Sequence, residues 1–336
     1  MFTERLKDYQ RLENERNSKL LVYVTGERPG LETQMHNEVI DMFTEHLDKI
    51  GKTEKISLVL HSRGGETNTG WSLANLIRSF CSKFEVIIPA RAHSAATLLS
   101  LGADTIMMTK QATIGPIDPS VNTPLNPELP GAPPQTRVSV SVESIKGFVQ
   151  LAREEFSIDS SRDLTKVLSV LADKVHPLVL GDVFRARQQI RMLAERLLEM
   201  HFDGDVEKIK KIVDFLCSDS GSHNYTIDRY EAADYLGLNI EKPHDNLYSV
   251  IKEIYDDLEK ELEFKHRYNA NSYLGTDAEK KYCFRRALIE SPGHGTDVYV
   301  SEGILVGQQQ QTQTGLIRHI QDMRQFEGWR KENEQH

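Results

Sequence analysis

From Leu20 onward the chain alternates short, β-rich apolar runs with stretches of helical periodicity. LLVYVTG is followed by a helical pattern over about 32–50, and ISLVLHS by one over about 70–80. FEVIIPA leads into a helix of small apolar residues opening at about Ser94, and TIMMT reads as a further strand. Strands alternating with helices predict parallel βαβ units joined by crossover helices. Continuous apolar strands such as ISLVL and FEVII suit a sheet covered on both faces. The stretch 116–138 is rich in proline and poor in periodicity, which predicts a long irregular loop of the kind that usually carries function.

Beyond this loop helical patterns recur over about 141–156, 162–175, 180–201, 205–217 and 227–236, and a long charged helix is expected near 248–267. The β-like segments KYCFRRALIE and DVYVSEGILV follow, and a polar helix is expected from about Thr314. The organisation this predicts is an N-terminal helix over 1–19, an α/β core over 20–240, and a helical and β extension over 241–336.

With 336 residues the chain can bury a sizeable core. Its formal net charge of -9 comes from charges mixed along the whole length, without the basic face that phosphate neutralisation needs, so nucleic acid is not expected as a partner. Cys81, Cys217 and Cys283 lie far apart and fit no metal-ligand spacing, and an odd number cannot all pair within one chain. No metal or cofactor is expected from them, and a reducing, cytoplasmic compartment fits. The first residues are charged throughout, and no run approaches the roughly 18 apolar residues of a membrane span, so no membrane segment is expected.

Two strand-to-helix junctions carry the candidate chemistry. In ISLVLHSRGGETNTG a buried strand runs into Arg63, Gly64 and Gly65 and then a helix. Paired glycines at a strand end let the backbone approach a ligand closely and aim N–H groups outward, although a tight turn alone also uses them. In FEVIIPARAHSAATLLSLGADTIMMT a second strand ends near Pro89, and Ser94 stands at the start of the helix. A serine there can be a helix cap or a nucleophile. Glycine N–H donors at one turn and a serine at the next, in neighbouring βα units, make an acyl-transfer site with its oxyanion hole.

The order of strand, HSRGG, helix, strand, ARAHSAATLLSLGADTIMMT and ATIGPIDPSV resembles the serine dehydrogenase proteinase family, a branch of the ClpP and signal peptide peptidase A group. SHNYTIDRYEAADYLGLNI resembles a later segment of that family, and the likeness covers about residues 20–240. It implies a ClpP/crotonase-like fold with a repeated ββα and βαβ core. It also implies Ser94 as nucleophile, an oxyanion hole at Gly64, Gly65 and Ala95, and a substrate groove that includes Arg63, His93, Ile114 and Gly115. His93 stands where the family has methionine, and Ala96 where it often has glycine.

A serine hydroxyl needs a base, and the resemblance offers histidine or lysine. No histidine occurs between His93 and His176, so the ClpP spacing, which falls near Asp118, is empty. Lys146 lies 52 positions after Ser94, at the edge of the apolar stripe of SVESIKGFVQLAREEF, where partial desolvation lowers a lysine pKa. His223 is the alternative base. The expected activity is a serine peptidase using a Ser-Lys dyad on peptide or protein substrates. A crotonase-like acyl-CoA enzyme and a non-catalytic scaffold are the competing readings. Amphipathic stretches such as VFRARQQIRMLAERLLEM predict a homo-oligomer, and an activating protein partner is left open.

Overall fold

The computed structural model describes residues 1–332 apart from 118, 134, 203, 220, 221, 223, 313 and 314, with backbone only at 218, 219, 309–312 and 315–317. Helix α1 (Phe2–Arg16) leads into β1 (Lys19–Thr25), followed by α2 (Val39–Ile50), β2 (Thr53–His61), α3 (Thr67–Arg78) and β3 (Cys81–Ile88). Next come β4 (Arg91–Ala92), α4 (Ala95–Leu101), β5 (Thr105–Met108) and β6 (Thr113–Ile114). The proline-rich stretch contributes β7 (Ser120–Val121) before β8 (Val140–Ser141) and helices α5 (Val142–Gln150), α6 (Ser161–Lys174), α7 (Pro177–Glu199) and α8 (Val206–Asp214). The chain closes with β9 (Ile227–Asp228), β10 (Ile240–Glu241), α9 (Asp245–Glu261), α10 (Ala270–Leu274), β11 (Glu279–Ser291), β12 (Gly295–Thr312) and β13 (Gly315–Glu332).

One sheet in the order β10-β5-β3-β2-β1-β11-β12-β13 organises the molecule. The strands from β10 to β1 run parallel to one another, as the alternation of strand and helix requires. From β1 outward the sheet turns antiparallel through β11, β12 and β13. Both faces of the parallel part are covered. In β1, Leu20, Val22 and Val24 pack with Tyr9, Leu12, Val250 and Ile254 of α1 and α9. The intervening Leu21 and Tyr23 face the opposite core, with Phe43, Leu47, Leu73 and Leu98. The period-2 alternation thus serves two apolar layers, which is why the strand reads as continuously apolar.

Three sequence expectations change. The helix expected over about 227–236 opens as β9, because Ile227 and Asp228 pair with β6, and the chain turns helical only after this pair, through Glu231–Tyr235. The helix expected from about residue 32 begins only at Val39, because Met35 is drawn into a parallel bridge with Gly65. The polar helix expected from Thr314 is a strand. Thr314 itself lies outside the described residues, but Gly315 to Glu332 pair with β12 along their length. The preceding strand offers a free edge, and satisfying that ladder outweighs local helical preference. Among the described residues no helix is long and apolar enough to cross a membrane.

Candidate active site

The two junctions singled out in the sequence lie at the carboxyl ends of the adjacent parallel strands β2 and β3, the usual place for a site in an α/β sheet. Past the end of β2, Ser62 donates its N–H to Arg91 O at 3.1 Å, and His93 donates to Ser62 O at 2.9 Å. This bridge holds the Gly64-Gly65 turn beside Ser94. A third segment joins from the other side, with Met35 N–H donating to Gly64 O at 2.8 Å and Glu66 N–H to Met35 O at 2.9 Å.

Both glycines are required by this crowding. A Cβ on Gly64 would lie 2.6 Å from His93 O, 2.8 Å from Ser94 Cβ and 2.9 Å from Ala95 N. On Gly65 it would lie 2.2 Å from Met35 O. Their φ values, 98° and 153°, are also in the range that favours glycine. The Gly64 N–H is taken up by Ser62 Oγ at 3.0 Å, so Gly64 shapes the turn. The N–H groups of Gly65 and Ala95 have no acceptor among the described residues. Those two donors are available to an oxyanion.

Ser94 sits half-buried at the N-cap of α4 with φ 52° and ψ -119°. A non-glycine residue at positive φ is uncommon, and such strain collects at functional turns where the surroundings over-determine it. Its hydroxyl makes no capping bond to α4. Without that bond, the capping reading loses its support. Ser94 lines a cavity of about 400 Å³ whose other walls include Gln34, Arg63, Gly65, Glu66, Pro119 and Ser120.

A buried carboxylate lies beneath the turn. Glu27 Oε1 is 3.2 Å from Nε2 of the fully buried His61, and its Oε2 is 3.0 Å from Arg91 Nη1. Arg63 Nε approaches Oε1 at 3.4 Å. Burial alone would raise the Glu27 carboxyl, but His61, Arg91 and Arg63 together hold it down to about 2. Burial lowers the pKa of His61 in turn, outweighing Glu27. Glu27 therefore stays ionised and tethers both arginines that flank the junctions. No pattern around GER in the sequence marks this residue; only the fold brings it under the turn.

The remaining predicted residues fall in different places. His93 Nε2 pairs with Thr113 Oγ1 at 2.9 Å, and its ring packs on Gly115. Burial, reinforced by Arg91, lowers the His93 pKa to about 4, so the ring is neutral near pH 7. Ile114 is fully buried, and its backbone pairs with Ala92 beside the serine turn. Lys146, half-buried on α5, lines a neighbouring cavity of about 470 Å³ with Val142, Ile145, Leu180, Val183 and Phe184. The two cavities share a connection: β7 pairs with β8, and Val142 N–H at the start of α5 donates to Pro119 O, 3.3 Å away, on the wall of the Ser94 cavity. His223 lies outside the described residues.

Residues 35–129 match the family of ClpP-like SDH-type serine proteinases. That span contains Met35, both glycines and Ser94, and it supports a serine peptidase as the general class. The chain is 26% identical over 243 residues to the uncharacterized protein MJ0137 of Methanocaldococcus jannaschii, covering 70% of this chain and 73% of that protein. A second uncharacterized protein of that organism, MJ1495, is 38% identical over 66 residues, 20% of this chain and 23% of its own. Similar solved structures include a serine-to-alanine mutant of the 1510-N membrane-bound stomatin-specific protease, at 14% identity and TM-score 0.38 over 75% of this chain and 92% of that one. ClpP1 from Listeria monocytogenes aligns at 16% identity and TM-score 0.36, over 71% of this chain and 98% of its own. The parallel sheet and the family match together give the ClpP-like α/β fold expected from the sequence.

Proposed function

We propose that the protein is a serine peptidase in which Ser94 attacks the peptide carbonyl, Gly65 and Ala95 N–H groups stabilise the oxyanion, and Lys146 is the base. The strained backbone of Ser94, facing two unengaged N–H donors, carries this reading. A crotonase-like enzyme needs the oxyanion donors and a free carboxylate, and has no use for a strained serine. Glu66, the carboxylate that lines the Ser94 cavity, is engaged: its Oε2 accepts from Asn37 N–H at 3.0 Å and Thr69 Oγ1 at 3.1 Å. Lys146 stands one helical turn beyond Val142, whose backbone is bonded to the wall of the Ser94 cavity. In this proposal the contact between the Lys146 ammonium group and the serine forms with peptide bound, as catalytic hydrogen bonds often tighten only in the substrate complex.

A fluorophosphonate probe tests the assignment. Ser94 is expected to be labelled covalently, and Ser94→Ala, Lys146→Ala and Lys146→Arg each to lose labelling, since a guanidinium does not release its proton near neutral pH. No labelling of the wild-type chain would remove the hydrolase reading. Full labelling of Lys146→Arg with none in His223→Ala would make His223 the base.

A further inference from the structure

A second group of titratable side chains lies where the mechanism does not use it, between α2 and the turn joining β11 to β12. His46, on α2, is fully buried, and its Nδ1 pairs with Ser291 Oγ at 2.8 Å. Its Nε2 lies 3.0 Å from Oδ2 of the buried Asp297. His294, in the SPGHGTD turn, has a side chain only 3% exposed, and its ring centroid is 4.3 Å from that of His46. Its Nε2 is 3.8 Å from Asp297 Oδ2 and 3.6 Å from Oε2 of the exposed Glu45. One ligand atom from each of His46, His294 and Asp297 lies within 4.8 Å of the others. His294 Nδ1 is buried and has no hydrogen-bond partner among the described residues.

This donor set has the chemistry of a transition-metal site. Zinc takes imidazole nitrogen at about 2.0–2.1 Å and carboxylate oxygen at about 2.0–2.2 Å, so ligand atoms around one tetrahedral ion stand about 3.3 Å apart. The separations of 3.0, 3.6 and 3.8 Å bracket that edge. Ser291 fixes the His46 ring from its far nitrogen, as outer partners of metal-bound histidines do. Lys331 Nζ already stands 2.9 Å from His294 Nε2, so a cation is held at this spot, and that side chain is exposed enough to give way. Imidazole donors favour zinc over magnesium or calcium.

We propose that His46, His294 and Asp297, joined by Glu45, bind a zinc ion that ties α2 to the β11–β12 turn. The reading of the cysteines gave no hint of it, because the ligands are histidines and carboxylates brought together from segments about 250 positions apart. The test uses the full chain stripped with a chelator and titrated calorimetrically with zinc chloride alone, with magnesium chloride as the control. One zinc per chain is expected, with a rise in Tm that magnesium does not produce. His294→Asn is expected to weaken zinc binding by at least about a hundredfold, beyond the effect of losing an outer partner. Glu45→Gln and Lys331→Met change exposed side chains and guard against a folding defect. The first should weaken binding, and the second should tighten it by removing the competing ammonium. Wild-type zinc binding equal to that of folded His294→Asn, or absent in both wild type and Lys331→Met, would overturn the site.

Discussion

Ser94 holds a backbone conformation that costs a non-glycine residue about 1–3 kcal/mol, and the bridges from Ser62 and Met35 keep it there. Ser94→Gly should therefore raise stability by about 1 kcal/mol, read as a higher denaturant midpoint, while abolishing probe labelling. A lower midpoint would mean the serine side chain, and not its strain, dominates at this turn. Gly65→Ala places a methyl on the Met35 carbonyl and should cut turnover about a hundredfold or more while loosening the 33–37 segment. Full activity in the folded variant would take Gly65 out of the oxyanion hole. Burial also makes several histidines acid-sensitive. His93 and His201 have folded-state pKa values lowered to about 4, and His61 is lowered too, all by burial first. Their neutral forms stabilise the fold above about pH 6.5, and that contribution is lost as pH falls through about 4. Tm should drop over this window, and His201→Gln should flatten the drop; an unchanged slope would assign it to carboxylates instead.

The N-terminal helix α1 is locked to the sheet by a buried ion cluster. Arg5, 2% exposed, donates from Nη2 to Glu290 Oε1 on β11 at 2.6 Å and from Nη1 to Asp257 and Glu261 on α9, each at 2.5 Å. Removing the cation leaves Glu290 buried without its charge partner, so Arg5→Met should destabilise by about 3–5 kcal/mol, measured by chemical denaturation. A loss below 1 kcal/mol would show that the methionine's apolar packing offsets the missing pair. None of this was legible in the sequence, where FTERLKDYQRLENER is simply a charged helix. The parallel strands were legible, because burial on both faces writes itself as unbroken apolar runs in β2 and β3. So were the two junctions of the candidate site, since glycines at a strand end and a serine at a helix start are local signals. Non-local pairing was invisible: Met35 is taken from a helix by Gly65, β13 from a helix by β12, and Glu27 is carried beneath the turn by topology alone.

At the scale of the molecule, several of the exposed large apolar side chains among the described residues lie on the helices that follow the proline-rich stretch. Helix α6 buries none of its residues, and Leu168 and Val170 on it are 58% and 54% exposed. Leu178 and Phe184 on α7 are 63% and 60% exposed, and the cavity lined by Val142, Ile145, Lys146 and Phe184 opens among them. Large exposed apolar patches of this kind mark surfaces that meet another protein. A copy of the same chain is the simplest partner, since closed homo-oligomers bury matching faces. Light scattering at micromolar concentration should give a mass well above 38.3 kDa. Leu168→Glu combined with Phe184→Glu should return it to the monomer with unchanged circular dichroism, because neither side chain contributes to the chain's own core. The cavity that opens on this surface holds Lys146, so covering it also shields the proposed base from water. Dissociation by the double variant should then reduce fluorophosphonate labelling of Ser94 along with the mass. A wild-type chain of 38.3 kDa that is fully labelled would show that the site is complete within one subunit and that this apolar face serves a different partner.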